Sequence, residues 1–135
     1  YNGHEVALFH RLGALTIVFP NSPGRPTGLY EINFDGTFRC ASPDTVRTDW
    51  HCNPSRDGRW AVVDTQETGV SHLYAVNLAT GARRLLCRTS YTAHPWHPHP
   101  HISPDGKWVV FNDAALQKVV ALEINQAWLA RFLEK

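Results

Sequence analysis

The strongest constraint on this sequence is that it repeats itself. Asn53-Pro-Ser-Arg-Asp-Gly-Arg-Trp-Ala-Val-Val-Asp returns 48 residues later as His101-Ile-Ser-Pro-Asp-Gly-Lys-Trp-Val-Val-Phe-Asn. Downstream, Leu73-Tyr-Ala-Val-Asn returns at the same offset as Ala121-Leu-Glu-Ile-Asn, and Leu29-Tyr-Glu-Ile-Asn is an upstream third copy. Such a unit cannot bury its apolar face alone and has to stack on its neighbours.

Each copy reads as short β-strands. The first ends in a turn whose glycine takes the positive φ of a tight hairpin. The second is apolar and β-branched, at 15–19, 60–63 and 108–111. The third carries the Leu-Tyr-type repeat and closes on Asn-Phe-Asp-Gly or Asn-Leu-Ala-Thr-Gly, and a fourth follows at 38–41 and 83–87. Four short strands per repeat of about 40–50 residues is the pattern of β-propeller blades. The expected fold is all-β, with blades over approximately 1–44, 45–92 and 93–125.

The last copy breaks the rule. After Asn125, Trp128, Leu129, Phe132 and Leu133 fall at helical spacing, which predicts a short helix over 126–134 where a fourth strand would go. About two and three-quarter blades are therefore present, fewer than the roughly 4–8 that close a propeller. The expectation is the carboxy-terminal piece of a longer propeller, or a chain completed by self-association.

The repeat also registers the histidines. His51 lies seven residues before Gly58 and His99 seven before Gly106; His4 lies nine before Gly13 and His97 nine before Gly106. Innermost strands of neighbouring blades converge on one axis, so these four approach a common channel. Four of the eight histidines sit in His94-Pro-Trp-His-Pro-His-Pro-His101. Read as an extended strand, that run puts His97 and His99 on one face, close enough to chelate one ion. His101, about 13 Å further along, belongs to another layer. Pro98 and Pro100 cannot donate to a ladder and point to an edge or to backbone free on one side. The alternative is a Pro/His-rich loop whose rings are packed or solvated.

Composition excludes several classes. A net charge of +1 offers no basic field for nucleic acid and no basic face for a membrane, and no apolar run approaches the roughly 18–20 residues of a span. The sequence leaves the compartment open between cytoplasm and periplasm, leaning to the cytoplasm. Three cysteines without Cys-x-x-Cys spacing argue against a disulfide framework and a zinc knuckle. Cys52 faces away from His51 in a strand and reads as a small core residue.

Gly3-His4-Glu5, His51-Cys-Asn-Pro-Ser-Arg-Asp-Gly and His97-Pro-His99-Pro-x-x-Ser-Pro-Asp-Gly-Lys-Trp-Val resemble, in order, the carboxy-terminal half of oligogalacturonate lyases. Those enzymes are seven-bladed propellers that cleave short pectin fragments by β-elimination with a manganese ion. The resemblance implies that His51, His97 and His99 are metal ligands and that His4 is an active-site histidine facing an oligogalacturonide substrate. The family's remaining ligand is a glutamine, and this sequence has His94 there. Four imidazoles form a softer site than three plus an amide, so zinc, nickel or copper can replace manganese. In the family the catalytic base and several basic substrate-binding residues come from earlier blades.

Other residues weigh less. Asp49, Asp64 and Asp113 suggest an acid/base pair, but Asp64 is displaced by a strand from the histidine end and strand-end aspartates usually cap backbone; Arg83, Arg84 and Arg88 read as a solvated fourth-strand face. Trp50 and Trp96 flank the ligand strands and suit stacking on a sugar, Trp60 and Trp108 alternate with the core, and Glu5 is placed to orient His4. The rival readings are a non-catalytic propeller module of the TolB or WD type that docks other proteins, and a propeller gating an attached peptidase domain.

Overall fold

The computed structural model describes residues 2–20, 22–43, 48–92 and 96–134. Strands β1 (Asn2–Ala7), β2 (Gly13–Val18), β3 (Gly28–Asn33) and β4 (Phe38–Pro43) form one antiparallel sheet. A second contains β5 (Asp49–Pro54), β6 (Trp60–Thr65), β7 (Val70–Asn77) and β8 (Arg83–Ser90). The third has β9 (His101–Ile102), β10 (Trp108–Asp113) and β11 (Lys118–Glu123), followed by helix α1 (Gln126–Leu133). Every sheet is a meander in which each strand pairs with its sequence neighbour. The blades read from the repeat are present, and the copy that breaks in sequence is the sheet with three strands.

The repeated turn has a repeated chemistry. Gly58 N–H donates to the Ser55 carbonyl (3.0 Å), the Ser55 hydroxyl donates to Asp57 (2.6 Å), and Asp57 also accepts from Arg59 N–H (3.1 Å). Ser103, Asp105, Gly106 and Lys107 reproduce these bonds one sheet later, at 2.8, 2.6 and 3.1 Å. The glycines take φ of 69° and 70°, the left-handed region open to a residue without Cβ.

Packing explains why β6 is buried along its whole length. Ala61 and Val63 meet Leu15, Ile17 and Leu29 of the first sheet, whereas Trp60 and Val62 meet Val109 and Phe111 of the third. Covered on both faces, the strand reads as a continuous apolar run. Trp108 departs from expectation. It holds the repeat position of Trp60, yet it is 39% exposed against 2%. Trp60 lies under the third sheet and α1, while Trp108 is on the third sheet's far face with exposed Val119.

Helix α1 does not take the place of a fourth strand, since β11 remains the outer strand of its sheet. Asn125 caps it by accepting from Trp128 N–H (3.0 Å). Leu129 and Phe132, one turn apart, are buried in the core between the second and third sheets. Asn77 of the second sheet donates to the Phe132 carbonyl at 3.2 Å, satisfying a group at the helix end.

Polar bonds tie the sheets together. Arg83 corrects the reading of a solvated face: it grips buried Asp49 through two nitrogens (2.8 and 2.6 Å) and donates to Ser42 of the first sheet (2.7 Å). Its neighbours Arg84 and Arg88 are exposed as expected. Asp113 likewise joins the third sheet to the second, accepting from the hydroxyls of Thr89 (2.6 Å) and Ser90 (2.7 Å). At the inner edge β5 touches both β1 and β9, so the first strands of the three sheets lie side by side.

Candidate metal centre

The convergence of inner strands brings histidines together at the end opposite the Gly58 turn. His51 lies in a bulge of β5, where pairing with β6 shifts between Asp49 and Cys52. Bulges re-aim side chains, and here the strand sends His51 to the histidine cluster and Cys52 into the core between the first two sheets. Burial pushes the Cys52 thiol far up, so it stays protonated and inert, as its reading as a core residue requires.

His97 and His99 reach the same point by a route that differs from the extended strand. Paired structure begins only at His101, and His99 has φ of 45°. The alternating prolines account for this, because a segment short of N–H donors cannot hold a ladder. The segment is fastened to β10 by its carbonyls: Asn112 donates from its backbone to Pro98 (2.8 Å) and from its amide to His97 (3.2 Å). Ring nitrogens of His51, His97 and His99 all lie within 4.8 Å of one another. The ring centroid of His99 is 3.8 Å from that of His51 and 4.4 Å from that of His97. His101 belongs to another layer, 3.2 Å from Asn53 Nδ2. His94 lies outside the described residues.

Asp64 corrects an expectation: it is not displaced by a strand from the histidine end but packs against His51, because the two lie side by side on paired strands β6 and β5. Its carboxylate accepts from the His51 backbone N–H (2.6 Å) and lies 2.9 and 3.1 Å from His51 Nδ1. Asp64 is 1% exposed and His51 5%. A carboxylate only accepts, so Nδ1 carries the proton, and in the neutral ring the lone pair is on Nε2. That Nε2 is buried and has no hydrogen-bond partner among the described residues. A signal for Asp64 existed: Phe19, Asp64 and Asn112 each stand six residues after the turn glycine. Phe19 meets the His4 ring, Asp64 the His51 ring and Asn112 the His97 carbonyl.

His4 lies beside this cluster, its ring centroid 4.4 Å from that of His51, on an exposed bulge of β1 with φ of 60°. Non-glycine residues at positive φ are strained, and two of the three among the described residues are His4 and His99. Burial first, then the neighbouring His51, lowers the His4 pKa, which Asp64 and Glu5 partly raise. His99 is pushed down to about 4 by burial and by His51 and His97. Both rings are therefore neutral at neutral pH, the form that binds metal or accepts a proton. Trp50 packs against both His4 and Phe19, with centroids 5.4 and 5.1 Å away, and Trp96 is half-buried. Tyr91, held by Gln66 (2.7 Å), meets the His97 ring edge-on at 6.2 Å.

This donor set fits a divalent cation of borderline softness. Nitrogens bound tetrahedrally to one ion with bonds of about 2.1 Å stand about 3.4 Å apart, so rings whose nitrogens lie within 4.8 Å of one another would have to draw together by up to about 1.4 Å to share it. The Asp64–His51 contact is the carboxylate–histidine pairing that orients ligating imidazoles.

No family model matches the sequence, and no curated protein matches it. The fold is similar to TolB from Acinetobacter baumannii (TM-score 0.73, 14% identity, 93% of this chain and 30% of that one). It is similar also to an oligogalacturonate lyase in complex with manganese (TM-score 0.72, 21% identity, 94% of this chain and 36% of that one). A hydrazine synthase of Kuenenia stuttgartiensis is a more distant likeness (TM-score 0.57, 9% identity, 92% and 45%). These likenesses establish architecture: the chain is a stretch of β-propeller, spanning about a third of the length of TolB and the lyase.

Proposed function

We propose that this chain carries the metal-binding blades of a polysaccharide lyase that cleaves oligogalacturonides by β-elimination. The observation that carries the reading is the meeting of His51, His97 and His99 with His51 braced from behind by buried Asp64. His51, His97 and His99, with His94, hold the ion, and manganese is the expected metal by likeness to the lyase. A bound divalent cation offsets the negative charge that develops on a uronate carboxylate when the C5 proton leaves. Asp64 keeps the His51 lone pair aimed at the centre, and neutral, exposed His4 faces the substrate as a catalytic residue. The base that removes the proton and the cationic groups that hold the uronide belong to further blades. Loss of the 4-O leaving group then leaves an unsaturated uronide.

Elemental analysis of the purified chain, beside His97→Ala and His99→Ala, tests the centre. A stoichiometric divalent ion lost in both variants is expected, and the full-length protein is expected to form an ultraviolet-absorbing uronide. The likeness to TolB favours a second reading, a binding module without metal. That reading prevails if neither the chain nor the full-length protein takes up an ion.

A further inference from the structure

At the turn end of the seam between the first two sheets lies a cleft of about 320 Å³, lined by His10, Arg11, Arg39 and Arg59, with Glu31 and the apolar Leu133 of α1. It is separated from the histidine cluster along β6, where Arg59 at the cleft and Asp64 at the cluster are five residues apart, about 16 Å in an extended strand. Glu31 is 5% exposed and serves two guanidiniums, Arg39 through Nε at 2.5 Å and Arg11 through Nη2 at 3.4 Å. Arg11 also donates to the Asn33 side chain, and Arg39 to the Leu78 carbonyl at 2.7 Å. Both guanidiniums are thus fixed before any ligand arrives. Arg59 enters from the opposite sheet and makes no ion pair among the described residues.

Three guanidiniums against one carboxylate leave two positive charges in a concave site. Concave walls focus such a field, and the planar guanidinium fork matches the paired oxygens of phosphate and carboxylate. His10 completes the wall, its ring lying over Gly58, where a Cβ would come within 1.9 Å of it. The volume is at the small end of ligand pockets. We propose that this cleft binds a small oxyanion of two negative charges, a phosphate or a dicarboxylate, between Arg59 and the Arg11–Glu31–Arg39 triad. The inference does not depend on the lyase reading.

The test is a titration of the isotope-labelled chain with inorganic phosphate and, separately, malonate at constant ionic strength, followed by amide NMR shifts. Saturable shifts at Arg11, Gly58 and Arg59 are expected, and whichever anion binds more tightly names the ligand class. Arg59→Gln weakens binding roughly tenfold, the loss of one charged hydrogen bond. Arg56→Gln, in the neighbouring cleft that Arg59 also borders but outside the proposed one, leaves it unchanged and so excludes binding in that neighbouring cleft. No saturable shift with either anion, or equal weakening in the two variants, overturns the proposal.

Discussion

The side chain of Asp64 faces a histidine whose other ring nitrogen has no hydrogen-bond partner among the described residues, and this asymmetry gives the cluster its chemistry. Asp64→Asn keeps the volume but removes the charge that fixes the His51 tautomer. Divalent-metal affinity by calorimetry is expected to fall about 10- to 100-fold, with the circular dichroism spectrum unchanged; an unaltered affinity would show that the pair only braces the strand. The histidines were legible in sequence through their distance from the turn glycines. The reading of Asp64 as a backbone cap is half of the answer, since it does accept from the His51 N–H, whereas the expectation that it stands a strand away from the histidine end is wrong. The other half, the contact with the ring, depends on a bulge in β5 that has no local signature.

Among the elements, turns followed local rules and the histidine segment did not. Asp-Gly turns and β-branched runs lie where the repeat put them, because hairpin geometry is set by a few consecutive residues. The His-Pro-His run is irregular, and its register comes from Asn112 on a strand formed later in the chain. Close approach between sheets also distinguishes glycines of similar backbone. Gly36 (φ 86°) has open space where a Cβ would stand, whereas at Gly81 (φ 75°) a Cβ would lie 2.6 Å from the Ala41 carbonyl oxygen. Gly36→Ala is expected to cost about 1–2 kcal/mol from its backbone alone, and Gly81→Ala more, because backbone of the neighbouring sheet must give way. Urea unfolding of the two variants checks the order; equal costs would mean that the seam yields freely.

For the molecule as a whole, stability rests on apolar seams locked by charged residues at their rims. Asp113 accepts from Thr89, Leu116 and Ser90, and these bonds hold its carboxyl well below the usual carboxylate range despite some burial. A carboxylate whose folded pKa is depressed contributes stability that is present above its unfolded value near pH 3.9 and lost as pH falls through the folded value. Thermal unfolding at about pH 5 and about pH 3 should therefore show a larger loss for the wild type than for Asp113→Asn; identical losses would remove this seam from the account. Periodicity alone determined the all-β class, the order of strands and turns, the short terminal helix and the equivalence of the histidines, because these depend on residues near one another in the chain. Only the tertiary structure decided that Arg83 is clamped while Trp108 lies open, that α1 packs beneath two sheets, and that Asp64 backs His51. Each of those depends on which faces of separate sheets meet, and no spacing within one strand carries that information.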